Sequence, residues 1–117
     1  MALSGGVDSS TAAALLVQQG YEVSGVMMRL WATQYQGEIP ENRCCSLSAM
    51  ADARRVCALL GIPFHVVNLE EEFKAQVVDY FCADYARGRT PNPCLVCNRQ
   101  LKFRALLRLA SQMGADY

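Results

Sequence analysis

The sequence predicts an α/β domain with a parallel sheet, and three features carry that prediction. A glycine-rich turn, Ser4-Gly5-Gly6-Val7-Asp8-Ser9-Ser10, joins a short apolar stub at residues 1–3 to an Ala/Leu-rich stretch at 11–19. Beyond it, apolar runs of strand character alternate with runs of helical period. Glycines stand where the helical patterns stop, at Gly20, Gly61, Gly88 and Gly114. Strands alternating with helices imply βαβ units, and ligands of such sheets bind at the carboxyl ends of the strands.

Each element follows from its local pattern. Residues 1–3 read as a strand leading into the turn, and 11–19 as the helix leaving it. Residues 21–28 are β-branched and apolar, and read as a buried strand. From 32 to 45 the periodicity is lost, and Gly37 and Pro40 mark a loop. Residues 47–60 predict a helix with Ser46 or Ser48 as N-cap and with Met50, Ala53, Val56, Leu59 and Leu60 toward the core. Gly61 and Pro63 end it. Residues 64–69 form the next strand. In 70–87, Phe73, Val77, Phe81 and Tyr85 recur every four residues, the mark of a longer helix. Its first turn carries Glu70, Glu71 and Glu72, which suit the positive end of the helix dipole. Residues 89–97 read as a proline-containing loop, after which Asn98 caps a last helix reaching residue 113.

The length of 117 residues allows one domain at most. A hydrophobic content of 52% excludes a disordered chain. The longest apolar run, 12–17, is too short to span a bilayer, and no basic and apolar leader marks secretion. A cytoplasmic location without membrane attachment is expected. Net charge is zero but unevenly spread. Residues 1–84 carry five basic and ten acidic side chains, and 85–117 carry six basic and one acidic. The basic segment of Arg87, Arg89, Arg99, Lys102, Arg104 and Arg108 suits either a phosphate-backbone contact or an ordinary solvated helix face. Six cysteines without a secretion signal argue against a disulfide scaffold. Cys57 and Cys82 fall on predicted helices beside apolar positions and read as buried small hydrophobes.

The glycine-rich turn carries the first piece of chemistry. A turn that opens a helix exposes backbone N–H groups with no helical acceptor, and the helix dipole adds positive charge there, so the place suits a phosphate. Gly5 and Gly6 let the backbone approach a ligand. Val7 belongs to the same loop, the hydroxyls of Ser4, Ser9 and Ser10 add neutral donors, and Asp8 is a candidate carboxylate for a magnesium ion beside the phosphates. Neither Gly-x-x-x-x-Gly-Lys-Ser/Thr nor Gly-x-Gly-x-x-Gly is present. The plain alternative is a Gly-Ser turn followed by an Asp/Ser cap. Ser-Gly-Gly-x-Asp-Ser resembles the PP-loop of the ATP pyrophosphatase superfamily, which implies ATP binding with release of pyrophosphate.

The second piece is Arg89-Thr-Pro-Asn-Pro-Cys-Leu-Val-Cys-Asn98. Pro91 and Pro93 fix φ at alternate positions and bias Thr90 and Asn92 to extended backbone. The loop is therefore stiff, and it is expected to deliver Cys97 to a helix start. A thiol there, with basic neighbours, has more thiolate character, as a sulfur carrier or a metal ligand requires. Cys94-x-x-Cys97 alone is ambiguous between a redox pair, half of a metal site and coincidence. A zinc site needs four ligands, and the adjacent Cys44 and Cys45 are awkward as a second pair. His65 lies within a predicted strand, where a structural role is expected.

The PP-loop, Gly25-Val-Met-Met-Arg-Leu-Trp31, Cys44-Cys45-Ser46, Asp52-Ala-Arg-Arg55, Leu60-Gly-Ile-Pro-Phe64, Thr90-Pro-Asn-Pro-Cys and Cys97-Asn98 together resemble the tRNA-specific 2-thiouridylases of bacteria and mitochondria. The likeness covers essentially all 117 residues. It implies a Rossmann-like adenine nucleotide alpha hydrolase (PP-loop) fold, with residues 1–117 an incomplete N-terminal nucleotide-binding and catalytic domain. It implies adenylation of the C2 oxygen of the wobble uridine, position 34 of tRNA, followed by transfer of a persulfide sulfur with loss of AMP. By the same likeness Cys97 is the nucleophile, Asn92, Pro93 and Cys94 meet the target base, and Met28 contacts adenine. Cys94 is an aspartate in some members, so it is read as a resolving thiol or an iron–sulfur ligand. A disulfide bond, ATP and Mg²⁺ as cofactors, tRNA as partner with Arg99 and Lys102 as contacts, and a sulfur donor (a cysteine desulfurase or a sulfur relay protein) complete what the likeness implies.

The short stub before the loop and the strand-like run-in at 114–117 lead us to expect a fragment, inactive by itself, with the family's second catalytic cysteine outside it. Three other readings stay open on the sequence: another PP-loop ATP pyrophosphatase, an inactive remnant, and a metal-binding Cys-x-x-Cys module.

Overall fold

A computed structural model describes residues 1–30 and 47–116 of the chain. The chain divides into two compact units, Met1–Asn68 and Leu69–Tyr117. The first unit runs α1 (Val7–Gln18), β1 (Gly25–Arg29), α2 (Leu47–Leu60) and β2 (Phe64–Asn68). β1 and β2 pair in parallel, from Gly25 opposite Phe64 to Arg29 opposite Asn68. On the other side of β1, Ala2 forms a parallel bridge with Val26. The Leu3 N–H donates to the Val26 carbonyl at 2.8 Å and the Val26 N–H to the Met1 carbonyl at 2.9 Å. The expected parallel α/β architecture is present, with the glycine-rich loop leaving the carboxyl end of the stub.

Several boundaries differ from expectation for local reasons. β1 starts at Gly25 rather than at residue 21. The Gly25 N–H donates to the Pro63 carbonyl at 2.8 Å, but Pro63 has no N–H to continue the ladder. Tyr21 is used instead to close α1: Gly20 is left-handed and the Tyr21 N–H reaches back to the Leu16 carbonyl at 3.1 Å. α1 begins at Val7, four residues before the expected 11, so Asp8, Ser9 and Ser10 are helical. Ser48 lies inside α2 rather than capping it. The expected loop at 32–45, Trp31, Cys44, Cys45 and the other candidate cap, Ser46, lie outside the described residues.

The core of this unit gathers Leu3, Ala13, Met27, Ala53 and Cys57, with Ala49, Met50, Leu60, Ile62 and Phe64 packed against it. Leu59, expected inside, is 80% exposed. It lies about 200° around the helix from Cys57, and Cys57 takes the inward position. A β-carbon on Gly25 would sit 2.5 Å from the Cys57 Sγ and 2.8 Å from the Leu3 Cδ1, so β1 fits under α2 only without a side chain there. Burial pushes the Cys57 thiol above its ordinary value, partly offset by the Met1 ammonium.

The second unit is helical. α3 (Glu70–Phe73) continues through a wider π-helical stretch, Lys74–Val78, into α4 (Asp79–Ala86). α5 (Pro93–Val96) likewise continues through a π-helical stretch, Cys97–Phe103, into α6 (Arg104–Gln112). The two π-helical stretches pack on each other. Val77 and Leu101 are 2% exposed. The four-residue recurrence does not trace a buried face: Phe81 and Tyr85 are exposed, their rings stacked at 5.9 Å. Four α-helical residues turn the chain about 400°, so the stripe drifts by about 40° at each step. Cys82, expected to be buried, is exposed on the same helix.

Gly25→Ala is expected to destabilise the chain by about 1–3 kcal/mol through overpacking, read as a lower denaturant midpoint with an unchanged slope. The raised Cys57 value favours the folded state below the thiol's ordinary 9.0. That contribution drains away as pH rises through the folded value. Cys57→Ala should therefore flatten the loss of stability that denaturant titration measures as pH rises above 9.0.

Candidate functional site

Gly5 and Gly6 have different jobs. Gly5 is left-handed, with φ +76°. A β-carbon there would strike the Ala49 carbonyl oxygen and lie 2.9 Å from the Ala49 Cα. The loop thus lies directly against the backbone of α2's first turn. Gly6 is extended, with φ −86° and ψ 164°, and forms the N-cap of α1 without any side-chain cap bond. A serine or aspartate at that position would fold back onto the first-turn N–H groups. Glycine leaves the N–H groups of Val7, Asp8 and Ser9 for an outside acceptor.

The serine hydroxyls serve the loop itself. The Ser9 hydroxyl donates to the Gly6 carbonyl at 3.1 Å and the Ser10 hydroxyl donates to the same carbonyl at 2.9 Å. The hydroxyls of Ser4 and Ser9 lie 3.1 Å apart, and the Ser4 N–H donates to Ser9 Oγ at 3.3 Å. These bonds hold the turn in shape and engage the hydroxyls, so its backbone N–H groups and dipole are what the loop could offer an anion. Val7 is 80% exposed, and Asp8 is exposed in the first helical turn. Met28 is half-buried near the end of β1, opposite Val67.

In the second unit the helix after the proline loop starts earlier than expected. Asn92, not Asn98, is the cap: its backbone is extended, and its Oδ1 accepts the Leu95 N–H at 3.1 Å. Pro93 follows at the first helical position, where its missing N–H costs nothing. The exposed thiol in the first turn is therefore Cys94. Cys97 begins the π-helical stretch one turn later and is 8% exposed. The Asn92-Pro93 step itself carries the cap signal, an Asn followed by Pro at the first helical position. π-Helical turns within α-helices are frequent at functional sites.

Arg87, Arg89, Arg99, Arg104 and Arg108 are exposed, and Lys102 is half-buried. Arg104 donates to the Gln100 side chain at 3.3 Å. Among the described residues, Arg89 is the one basic side chain of this set with a carboxylate partner, Asp84 at 3.7 Å. No disulfide joins any two described cysteines, so the disulfide bond that the likeness implies has no support among them. Among the described residues no cluster of three or more His, Cys, Asp or Glu is arranged to hold a metal. Cys94 and Cys97 thus supply two of the thiolates an iron–sulfur cluster takes, and the described residues do not fit one by themselves. His65 is exposed on β2. Among the described residues no helix is long and apolar enough to cross a membrane.

Comparisons with known proteins extend this geometry. Residues 1–117 match the family described as the tRNA methyl transferase HUP domain. The chain is 56% identical to a tRNA-specific 2-thiouridylase MnmA of Symbiobacterium thermophilum over 120 residues, covering 100% of this chain and 31% of that protein. It is 57% identical to the protein of the same name from Chloroflexus aurantiacus, covering 99% of this chain and 32% of that one. The corresponding protein of Clostridium perfringens is 56% identical over 115 residues, again 32% of its length. The chain therefore spans about a third of the length of the relatives it matches. Among solved structures, an NMN synthetase from Francisella tularensis superimposes with a TM-score of 0.59 at 23% identity, over 95% of this chain and 40% of that one. That likeness concerns the fold.

Gly5→Ala and Gly6→Ser should separate the two glycine roles. Gly5→Ala meets both the left-handed backbone and Ala49, and should destabilise the fold by about 2–4 kcal/mol. Gly6→Ser should leave stability unchanged or raise it by up to about 1 kcal/mol, while weakening pyrophosphate binding in calorimetry by roughly tenfold.

Proposed function

The chain belongs to the tRNA methyl transferase HUP domain family, and from that premise we propose that it is the nucleotide-binding and thiol-bearing part of a tRNA 2-thiouridylase. The observation that carries the proposal is 56–57% identity across the whole chain to proteins named for that activity, in a chain that has both the uncapped glycine loop and the proline–cysteine segment. The family description speaks of methyl transfer, the relatives of thiolation. A loop fitted to pyrophosphate and a thiol-bearing helix start favour thiolation.

In this reading ATP binds with its phosphates on the N–H groups of Val7, Asp8 and Ser9, held by the Ser4–Ser9–Ser10 bracing, and with adenine beside Met28. An uncapped helix start fits such an anion. Asp8 offers a single exposed carboxylate, which suits Mg²⁺, an ion that takes one or two carboxylates together with phosphate oxygens and water. Bound ATP would supply the adenylyl group that makes the C2 oxygen of uridine a leaving group as pyrophosphate departs. The wobble uridine, position 34, is the proposed target. Asn92, Pro93 and Cys94 meet the base, and Arg99 and Lys102 meet the phosphate backbone.

Cys97 carries the sulfur that attacks C2: the C–S bond forms, the C2–O bond breaks, and the oxygen leaves with AMP. A second thiol then releases the product from Cys97 by forming a disulfide with it. A cysteine desulfurase or a sulfur relay protein supplies the persulfide. The 117 residues by themselves, a third of the relatives' length, are proposed to bind nucleotide without completing sulfur transfer. A cytoplasmic location accords with these partners.

The intact protein containing this segment, given ATP, magnesium, a persulfide donor and unmodified tRNA, should produce 2-thiouridine detectable by mass spectrometry of nucleosides. Cys97→Ser should lower that rate by at least about a hundredfold, while Cys57→Ala lowers stability and leaves the rate within about threefold. Methylated uridine in place of 2-thiouridine, or a Cys97→Ser rate near wild type, would overturn the assignment.

A further inference from the structure

We infer that Asp84 is a positioning residue for the cysteine segment: its carboxylate ties Arg89, and through the stiff residues 90–92 the capped start of α5, to the end of α4. Asp84 is the shielded partner of the pair, with its side chain 15% exposed against 68% for Arg89. The other described ion pair of this unit, Lys74–Asp79, is 74% and 56% exposed, an ordinary surface contact. Tyr80, one turn before Asp84, is pushed above the usual phenol range by desolvation and by the adjoining Asp84 carboxylate, which places it beside that group. The Asp84 carbonyl also collects the N–H groups of Arg87 at 3.1 Å and Arg89 at 3.0 Å. One residue thus holds Arg89 by both main chain and side chain.

From Arg89 the restraint has little slack in which to be lost. Only Thr90, Pro91 and Asn92 separate it from Pro93. Pro91 has a fixed φ, and Thr90 and Asn92 each precede a proline. Asn92 then caps Leu95, which sets Cys94 outside and Cys97 inside. No sequence signal marks this: Asp84 and Arg89 are five apart, and they meet because the left-handed Gly88 reverses the chain.

The role for sulfur transfer rests on the proposed function, but the positioning can be read apart from it. Alkylation of each cysteine by iodoacetamide, followed by peptide mass spectrometry, is measured in wild type, Asp84→Ala, Asp84→Asn, Arg89→Gln and Arg89→Lys. Cys97 labelling should rise about threefold to fivefold in Asp84→Ala and Arg89→Gln. Arg89→Lys, which keeps the charge, should stay within about twofold of wild type, as should Cys82 and Cys57 in every variant. In the intact protein the same substitutions should lower kcat for thiolation and leave the KM for ATP unchanged. Unchanged Cys97 labelling in Asp84→Ala, Asp84→Asn and Arg89→Gln, or a common rise at all cysteines, would overturn the positioning role. A selective rise at Cys97 with no thiolation even by the wild-type intact protein would uphold the positioning and overturn the sulfur-carrier reading.

Discussion

The close approach of Gly5 to the backbone of Ala49 is the constraint on which the first unit depends. It needs a left-handed residue without a side chain, and it seats the loop on the first turn of α2. From there the chain has one way forward: Gly6 extended, then α1 from Val7. A second close approach, Gly25 under Cys57 and Leu3, seats the central strand beneath α2. The cluster between them uses Ala13, Ala53 and Cys57 at essentially no exposure. Small side chains let the backbones come together, and Met27 fills the remaining space. Packing at this density leaves little tolerance for an added methyl group.

The two helix starts that matter are finished in opposite ways. At α1 the cap is glycine, and the loop's hydroxyls are spent on the Gly6 carbonyl, so the first-turn N–H groups remain for an anion. At α5 the cap is Asn92, which occupies the Leu95 N–H. The dipole there acts on a closed turn whose exposed group is the Cys94 thiol. An open start suits a phosphate, and a closed one with thiols suits covalent sulfur chemistry. The chain has one of each, and the proposed ATP-dependent thiolation would use both.

The second unit departs most from a regular helical description, because both of its long helices widen into π-helical stretches, Lys74–Val78 and Cys97–Phe103. The two stretches pack on each other. Widened turns leave Val77 and Leu101 inside while Phe81, Tyr85, Phe103 and Leu107 remain on the surface. The four-residue recurrence that marks the helix thus follows an inner face only as far as Val77.

The sequence by itself determined the parallel α/β class, the helix stops at Gly20, Gly61, Gly88 and Gly114, the glycine turn that opens α1 and the prolines that restrict residues 89–93. These are local: each follows from backbone freedom at glycine, its loss at proline, or hydrophobic period over a few residues. Only the tertiary structure decided which of two adjacent glycines is sterically required, because that depends on Ala49, more than forty residues away. Tertiary packing likewise left Leu59 outside, put Cys94 outside and Cys97 inside, and set Cys82 on the surface. A side chain's burial is fixed by what the rest of the chain brings against it, and a periodicity of three or four residues cannot encode that when the turns themselves change width.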